Sequence, residues 1–171
     1  SWYQPDMTSS QIDSAVAVLK NQEIYKGMFY NEDPISGIIL VDINKEVLIG
    51  TSDSDIIYNN KAYNKLLRNK KNQIIVFCFK NSISVMNKPN DYTFVKVDKN
   101  NYVKDVSEKK KISNTPYKDH AIIGIFYFRK IKFFFEGMRE VYKKNHKINK
   151  EFYIDSIIKF FEKKKYRIKI F

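Results

Sequence analysis

The chain has 171 residues, of which 43% are hydrophobic and 15% aromatic, so it can bury a substantial core and is not a disordered segment. Its formal net charge of +12 is compatible with nucleic acid, an anionic membrane or a phosphorylated small molecule, and the lysines are spread along the chain. No apolar run is long enough to cross a membrane and no signal peptide is visible. The one cysteine, Cys78, cannot form an internal disulfide, which predicts a reducing, cytoplasmic setting and a buried, unreactive thiol.

The first part of the chain combines one helical pattern with two apolar runs. Apolar residues recur at helical spacing from Ser10 to Asn21, and the hydroxyl residues that open this stretch are candidate N-caps. Gln11 carries both a donor and an acceptor and could contact a base edge, although helix capping alone explains the stretch as well. The apolar runs 37–43 and 47–49 are predicted as strands, either paired in a hairpin or separate.

A short segment after the second run is a candidate site. Val47–Ile49 suits a strand buried on both faces, as in a parallel sheet, and the small residues Gly50 to Ser52 would let the backbone approach a ligand closely. Asp53 follows at the carboxyl end of that strand, where open α/β sheets place their ligands. On this stretch alone, a turn or a helix cap is the simpler explanation for Asp53.

The remainder of the chain shows alternating helical and strand patterns. Asp98–Asn101 is predicted to join two strands in a hairpin. Strands mixed with helices of this length indicate an α/β domain. The predicted helices cover 59–69, 130–144 and 151–163, and the predicted strands cover 73–80, 92–97, 102–106, 120–128 and 166–171.

Several catalytic signatures are missing from the sequence. No His or Cys cluster has the spacing of zinc ligands, and neither a P-loop nor a dinucleotide-binding glycine motif occurs. Asp53 remains as a residue suited to Mg²⁺. The pair Glu108-Lys109 also remains, because Lys109 could bind a phosphate as a point charge. The alternative for residues 108–111 is a solvated face of the predicted hairpin.

Five short motifs follow one another in order along the second half of the chain. Each is weak alone, but their order and spacing resemble the second half of a sugar-phosphate nucleotidyltransferase catalytic domain. Val47–Asp53 is similar to the family's strand whose Asp binds Mg²⁺, and Thr8–Leu19 is similar to its nucleotide-side helix start. The five motifs are Y-T-F-V-K-V-D at 92–98, V-K-D-V-S-E-K at 103–109, I-S at 112–113, A-I-I-G-I-F-Y-F at 121–128 and N-K-E-F-Y-I-D at 149–155.

The resemblance implies a Rossmann-like, GT-A-type α/β domain with a mixed, mostly parallel sheet and helices on both faces. It also implies that residues 1–171 form a single, partial catalytic domain. The family's first strand, its Gly-rich triphosphate loop and a second metal-binding Asp beyond the last strand have no counterpart in this sequence. The chain is therefore expected to be inactive by itself, as a fragment truncated at both ends relative to the family.

The implied reaction transfers a nucleoside monophosphate from a nucleoside triphosphate to a sugar phosphate or a similar small phosphorylated metabolite, and releases pyrophosphate. Similarity to capsule-type cytidylyltransferases points to CTP. The family has Gly at two positions where this sequence has another residue, Ser10 and Lys150. The resemblance implies that Asp53 binds Mg²⁺ and acts with Lys109 in catalysis. It implies that the phosphorylated acceptor is bound by Glu108, Lys109, Gly124, Asn149 and Glu151. It also implies that the nucleotide is faced by Ser10, Gln11 and Ser52.

Two other functions remain compatible with the sequence. Because the triphosphate loop is missing, the chain could be a non-catalytic nucleotide- or sugar-phosphate-binding or regulatory module of the same fold. The basic charge also allows a nucleic-acid-binding domain, although no motif combines aromatic and basic residues as a stacking platform. We therefore expect no nucleic-acid partner and no membrane partner.

Overall fold

The computed structural model describes residues 25–28, 36–39, 44–50 and 56–171. The chain divides into two compact units, 1–43 and 44–171. In the first unit, β1 (Tyr25–Met28) and β2 (Ser36–Ile39) pair antiparallel. No strand was predicted at the position of β1. The predicted helix with Ser10 and Gln11 lies outside the described residues, as do Ser52 and Asp53.

In the second unit, the described residues form a six-stranded sheet with helices around it. The helices predicted over 59–69 and 130–144 are confirmed. The strands are β3 (Val47–Ile49), β4 (Ile74–Phe79), β5 (Phe94–Val97), β6 (Val103–Ser107), β7 (His120–Phe128) and β8 (Ile168–Ile170), and the helices are α1 (Asn60–Arg68), α2 (Ile83–Asn87), α3 (Ile131–Lys143) and α4 (Asp155–Lys163).

The long strand β7 organises the sheet. The strand order is β6-β5-β7-β4-β8, and β3 also pairs with β7. The three neighbours β3, β4 and β5 all run antiparallel to β7, and only the β4–β8 pairing is parallel among the described strands. The sheet is therefore mixed, as expected, but the expectation that it is mostly parallel is wrong. Continuous apolar runs report that a strand is covered on its faces, and they carry no information on its direction.

Helices cover both faces of this sheet, as predicted. Alternate residues of a strand point to opposite faces, so Tyr127 and Phe128 lie on different sides of β7. On one side, Tyr63 of α1 packs against Ile75 and Tyr127. On the other side, Phe134 of α3 contacts Phe128, with ring centroids 5.7 Å apart. The core is thus built in three layers, with the sheet in the middle.

The strand β3 differs from its prediction. It is three residues long, and Leu48 is 48% exposed, so the strand is not buried on both faces. Its register places Leu48 opposite Tyr127, but Leu48 is not among the residues that pack around Tyr63. The helix α1 therefore covers the middle of the sheet and leaves this position open. An apolar sequence run could not show how far the covering helix extends.

Close packing of α3 against α4 fixes the position of α4. A Cβ atom placed on Gly137 would lie 2.3 Å from Cγ2 of Ile157, which is a clash. The absence of a side chain at Gly137 therefore lets the two helices approach closely. The helix predicted over 151–163 starts later than expected, because residues 148–151 form a turn and α4 begins at Asp155.

Candidate functional site

One edge of the sheet collects the ends of several strands. Phe79, at the end of β4, pairs with Ala121 near the start of β7. Phe94, at the start of β5, pairs with Ala121 and with Ser107 at the end of β6. The strand β3 runs antiparallel to β7, so its carboxyl end also points toward this edge. The residues that follow β6 therefore lie at the same edge of the sheet as the carboxyl end of β3.

An open cleft lies at this edge. Its volume is about 590 Å³, and it brings together three residues that the sequence singled out, Glu108, Lys109 and Asn149. Gly124 and Glu151 are not among its lining residues in the described part of the chain. The complete lining consists of Asn90, Asp91, Glu108, Lys109, Lys110, Lys111, Ile148 and Asn149.

The carboxylate of Glu108 is held by three side chains. Lys159 Nζ lies 2.7 Å from it, Ser156 donates a hydrogen bond of 2.5 Å, and His146 Nε2 lies 3.0 Å away. The Glu108 side chain is only 3% exposed. Burial raises the pKa of Glu108, but the hydrogen bonds from Lys159, Ser156 and His146 outweigh it and leave the pKa below its usual value. Glu108 is therefore ionised at neutral pH and already engaged within the protein.

The ammonium group of Lys109 is also engaged. Its Nζ donates a hydrogen bond of 2.8 Å to the backbone oxygen of Asp91. The same atom lies 4.7 Å from the centroid of the Tyr153 ring, which is within cation–π range. The backbone of Lys109 is left-handed, with φ at 48°, so the chain turns sharply at this residue. Lys109 thus lies against the protein at the wall of the cleft.

A second carboxyl group, that of Asp155, interacts with Lys109. Asp155 is the first residue of α4, and burial raises its pKa. The Thr93 hydroxyl and the charge of Lys109 oppose this shift, whereas the charge of Glu108 adds to it. Asp155 therefore interacts electrostatically with both Glu108 and Lys109.

A two-residue turn positions Asn149 at the cleft. Ile148 and Glu151 exchange backbone hydrogen bonds of 2.9 and 3.0 Å across it. Asn149 and Lys150 both have positive φ, at 51° and 68°, as a type I′ turn requires. Lys150, which stands where the resembled motif has Gly, thus adopts a backbone conformation that favours glycine. Glu151 leaves this turn and accepts a hydrogen bond of 2.5 Å from the Tyr153 hydroxyl.

Gly124 has a structural role in the middle of β7. Cys78 pairs with Ile122 and Val76 with Phe126, so three residues of β7 lie opposite the single residue Phe77. Gly124 is inside this bulge with φ at 93°, a conformation that other residues rarely adopt. The bulge explains a glycine at this position without a ligand, and its predicted approach to a substrate stays a prediction.

Sequence reasoning missed the residues that hold Glu108. Ser156 and Lys159 are three positions apart on α4, so they share one helix face. Lys159 stands between Ile158 and Phe160 in an otherwise apolar stretch, and that isolated cation was a usable signal. His146 is far from Glu108 in sequence, and no pattern pointed to their contact.

The described residues contain neither a cluster of metal ligands nor a membrane-spanning helix. No group of three His, Cys, Asp or Glu residues in the described ranges is placed to hold a metal ion, and Asp53 lies outside those ranges. No helix in the same part of the chain is long and apolar enough to cross a membrane.

The architecture is that of a nucleotidyltransferase fold. The chain is similar in structure to the nucleoside-diphosphate-sugar pyrophosphorylase from Vibrio cholerae RC9, with a TM-score of 0.55 and 16% sequence identity. The match covers 76% of this chain and 49% of that enzyme, so the chain spans about half of the enzyme's length. Neither a model of a known protein family nor a curated protein matches the sequence. The likeness shows the fold and confirms the predicted fold class.

Proposed function

We propose that the whole protein transfers a nucleoside monophosphate from a nucleoside triphosphate to a small phosphorylated acceptor, such as a sugar phosphate, and releases pyrophosphate. One observation carries this proposal. Glu108 and Lys109 from one motif of the resemblance and Asn149 from another line a single cleft at one edge of a nucleotidyltransferase-type sheet. The fold neighbour is by its name an enzyme of nucleoside-diphosphate sugars, which supports the same reaction class.

The proposed chemistry is an in-line displacement. A phosphate oxygen of the acceptor attacks the α-phosphorus of the triphosphate, the bond to the bridging oxygen breaks, and pyrophosphate leaves with both bonding electrons. This reaction needs positioning and charge stabilisation more than proton transfer. The cleft would hold the acceptor, because Lys109 and Asn149 both line it.

Mg²⁺ fits the proposal through Asp53. Proteins commonly hold Mg²⁺ through one or two carboxylates together with the phosphates of the substrate, so one Asp is sufficient on the protein side. Asp53 follows β3, whose carboxyl end points toward the edge that carries the cleft. When bound, the metal would neutralise charge on the transferring phosphate and on pyrophosphate. Ser10, Gln11 and Ser52 are proposed for the nucleotide.

The second candidate is a binding or regulatory module without catalysis. The state of Glu108 favours it, because the carboxylate is 3% exposed and already accepts from Lys159, Ser156 and His146. A hydroxyl group of an acceptor would have to displace one of these donors before it could reach Glu108. In both functions the cleft takes a phosphorylated ligand, and only catalysis distinguishes them.

Pyrophosphate release by the purified whole protein tests the proposal. It should be measured with each common nucleoside triphosphate and a panel of sugar phosphates, with and without Mg²⁺. CTP with sugar phosphates that serve as capsule precursors is the first combination to try. We expect Mg²⁺-dependent release that falls by roughly a hundredfold or more in Asp53→Ala. The matched control is Asp55→Ala, which removes the same group two positions away and should stay within about threefold of wild type.

The contrary outcomes are specific. Activity that persists in Asp53→Ala contradicts the metal assignment. Saturable binding of nucleotide and sugar phosphate without pyrophosphate release, across the whole panel, supports the non-catalytic module. Binding to RNA or DNA that weakens steeply with salt and ignores free nucleotide contradicts both and supports a basic nucleic-acid-binding domain.

A further inference from the structure

We propose that Lys110 and Lys111 bind the acceptor through a phosphate monoester group. This inference rests on the proposed function, because it assigns the cleft to the phosphorylated acceptor. The motif at 103–109 ends at Lys109 and the next motif begins at Ile112, so Lys110 and Lys111 lie between the two. The resemblance therefore assigns no role to Lys110 or Lys111, and their assignment comes from the structure of the cleft.

The ammonium groups of Lys110 and Lys111 are available to a ligand. Lys109 is occupied by the Asp91 backbone oxygen and by the Tyr153 ring. Lys110 and Lys111 are exposed, line the same cleft, and have no hydrogen bond or ion pair within the described ranges of the chain. A ligand can therefore recruit these two groups without breaking an existing contact. Recruiting Lys109 would cost its hydrogen bond and its ring contact.

The side chains that line the cleft carry an excess of positive charge. Three lysines and two carboxylates, Asp91 and Glu108, line the cleft. Glu108 is already paired with Lys159, whose Nζ lies 2.7 Å away, so it does not offset the lysines of the cleft. Asp91 alone then faces three cations. This excess of positive charge matches a dianionic phosphate monoester better than a neutral sugar.

The backbone that carries Lys110 and Lys111 is anchored to the rest of the protein. Glu108 is tied to α4 through Ser156 and Lys159, and the left-handed backbone of Lys109 turns the chain directly after it. Lys110 and Lys111 therefore extend from an anchored turn. Long side chains lose less entropy on binding when their backbone is already fixed, which favours phosphate binding at this place.

Direct binding measurements on the whole protein test the assignment. Isothermal titration should give the Kd of glucose 1-phosphate, inorganic phosphate, glucose and CTP. The variants are Lys110→Ala/Lys111→Ala, Lys109→Ala and the control Lys70→Ala/Lys71→Ala. The control removes the same two charges at an exposed turn next to the start of β4, at the opposite edge of the sheet. All exchanged residues of the two double variants are exposed, so both should fold, and thermal unfolding verifies it.

We expect glucose 1-phosphate to bind at least about tenfold more weakly to the Lys110→Ala/Lys111→Ala variant, because two charge-assisted contacts are lost. Lys109→Ala should weaken it less than Lys110→Ala/Lys111→Ala does, and the control should weaken it by less than about twofold. Glucose should bind no variant measurably, and the Kd of CTP should change by less than about twofold.

Four results would overturn the assignment. The first is a larger loss in Lys109→Ala than in Lys110→Ala/Lys111→Ala, and the second is an equal loss in the control pair. The third is an equal loss for CTP, which would move the two lysines to the nucleotide. Inorganic phosphate that binds as tightly as the ester would contradict an ester site. Lysine-dependent ester binding in a protein that releases no pyrophosphate supports this site and counts against the transfer reaction only.

Discussion

Lys159 Nζ lies 2.7 Å from the carboxylate of Glu108, and this contact connects the end of β6 with the face of α4. The pair is asymmetric, because the Glu108 side chain is buried and the Lys159 side chain is partly exposed. A buried carboxylate that keeps its charge needs such a partner. The wall of the cleft thus depends on a helix that, apart from its first residue Asp155, lies outside the five motifs of the resemblance.

Loss of the Lys159 ammonium should destabilise the protein. Lys159→Met keeps the length of the side chain but leaves Glu108 buried with Ser156 and His146 as its remaining donors. We expect the free energy of unfolding to fall by about 2 kcal/mol, below the cost of breaking a fully buried pair because Lys159 is partly exposed. Urea unfolding followed by circular dichroism measures it.

Lys163→Met is the matched control for this prediction. Lys163 is exposed in the last turn of the same helix, and its removal changes the net charge by the same amount. It should alter the free energy of unfolding by less than about 0.5 kcal/mol. Equal losses in the two variants would show that the Glu108 contact contributes nothing to stability. Adding Glu108→Gln to Lys159→Met should recover part of the loss, since no uncompensated charge then remains.

Asp155 should make stability depend on pH. Burial raises its pKa, so the folded state holds the proton more tightly than the unfolded state does. Its stabilising contribution is present below the ordinary pKa of Asp and is lost as pH rises through the raised, folded-state value. Asp155→Asn cannot ionise. The stability of this variant relative to wild type should therefore increase from about pH 3 to about pH 7.

Urea unfolding at a series of pH values tests this prediction, with Asp105→Asn as the control. Asp105 is exposed on β6, and its exchange removes one negative charge from the same basic chain. The control corrects for the general effect of net charge. The stability of Asp155→Asn relative to wild type could instead stay level or fall as pH rises. That result would contradict the unfavourable burial of the ionised Asp155.

The turn at Asn149-Lys150 should accept glycine with a gain in stability. Lys150 has φ at 68°, which costs a residue with a Cβ atom about 1 kcal/mol and costs glycine little. Lys150→Gly should therefore raise the free energy of unfolding by about 0.5 to 1 kcal/mol. Lys150→Ala removes the same charge without relieving the backbone and should give no gain. A Lys150→Gly protein no more stable than Lys150→Ala would contradict the strain.

The elements of the fold were predictable where burial dominates the sequence. The 74–79 run is fully apolar, and it forms β4 with its first four residues buried. The Asp98–Asn101 turn forms as predicted, with Asp98 Oδ1 accepting from the backbone of Asn100 and Tyr102. Strand direction was not predictable, because an apolar run looks the same whichever way it pairs. The start of α4 was missed because a two-residue turn without glycine gives no local signal.

The candidate site was predictable in part for a related reason. Glu108, Lys109 and Asn149 stand in recognisable motifs, and the structure gathers them in one cleft. Their partners His146 and Lys159 act through contacts between residues that are far apart in sequence. Such contacts depend on how helices pack, which in turn depends on details such as the missing side chain of Gly137. A single sequence contains no direct record of them.

The pairing of β3 with β7 has a consequence for the order of synthesis. Val47 bonds into the sheet opposite Phe128, so a nascent chain must expose β7 before β3 can find its place. The segment that carries Asp53 follows β3 directly. The strand β3 is made before β7, so it can join the sheet only after the whole of β7 has been made. A chain truncated before β7 would leave β3 without this partner strand.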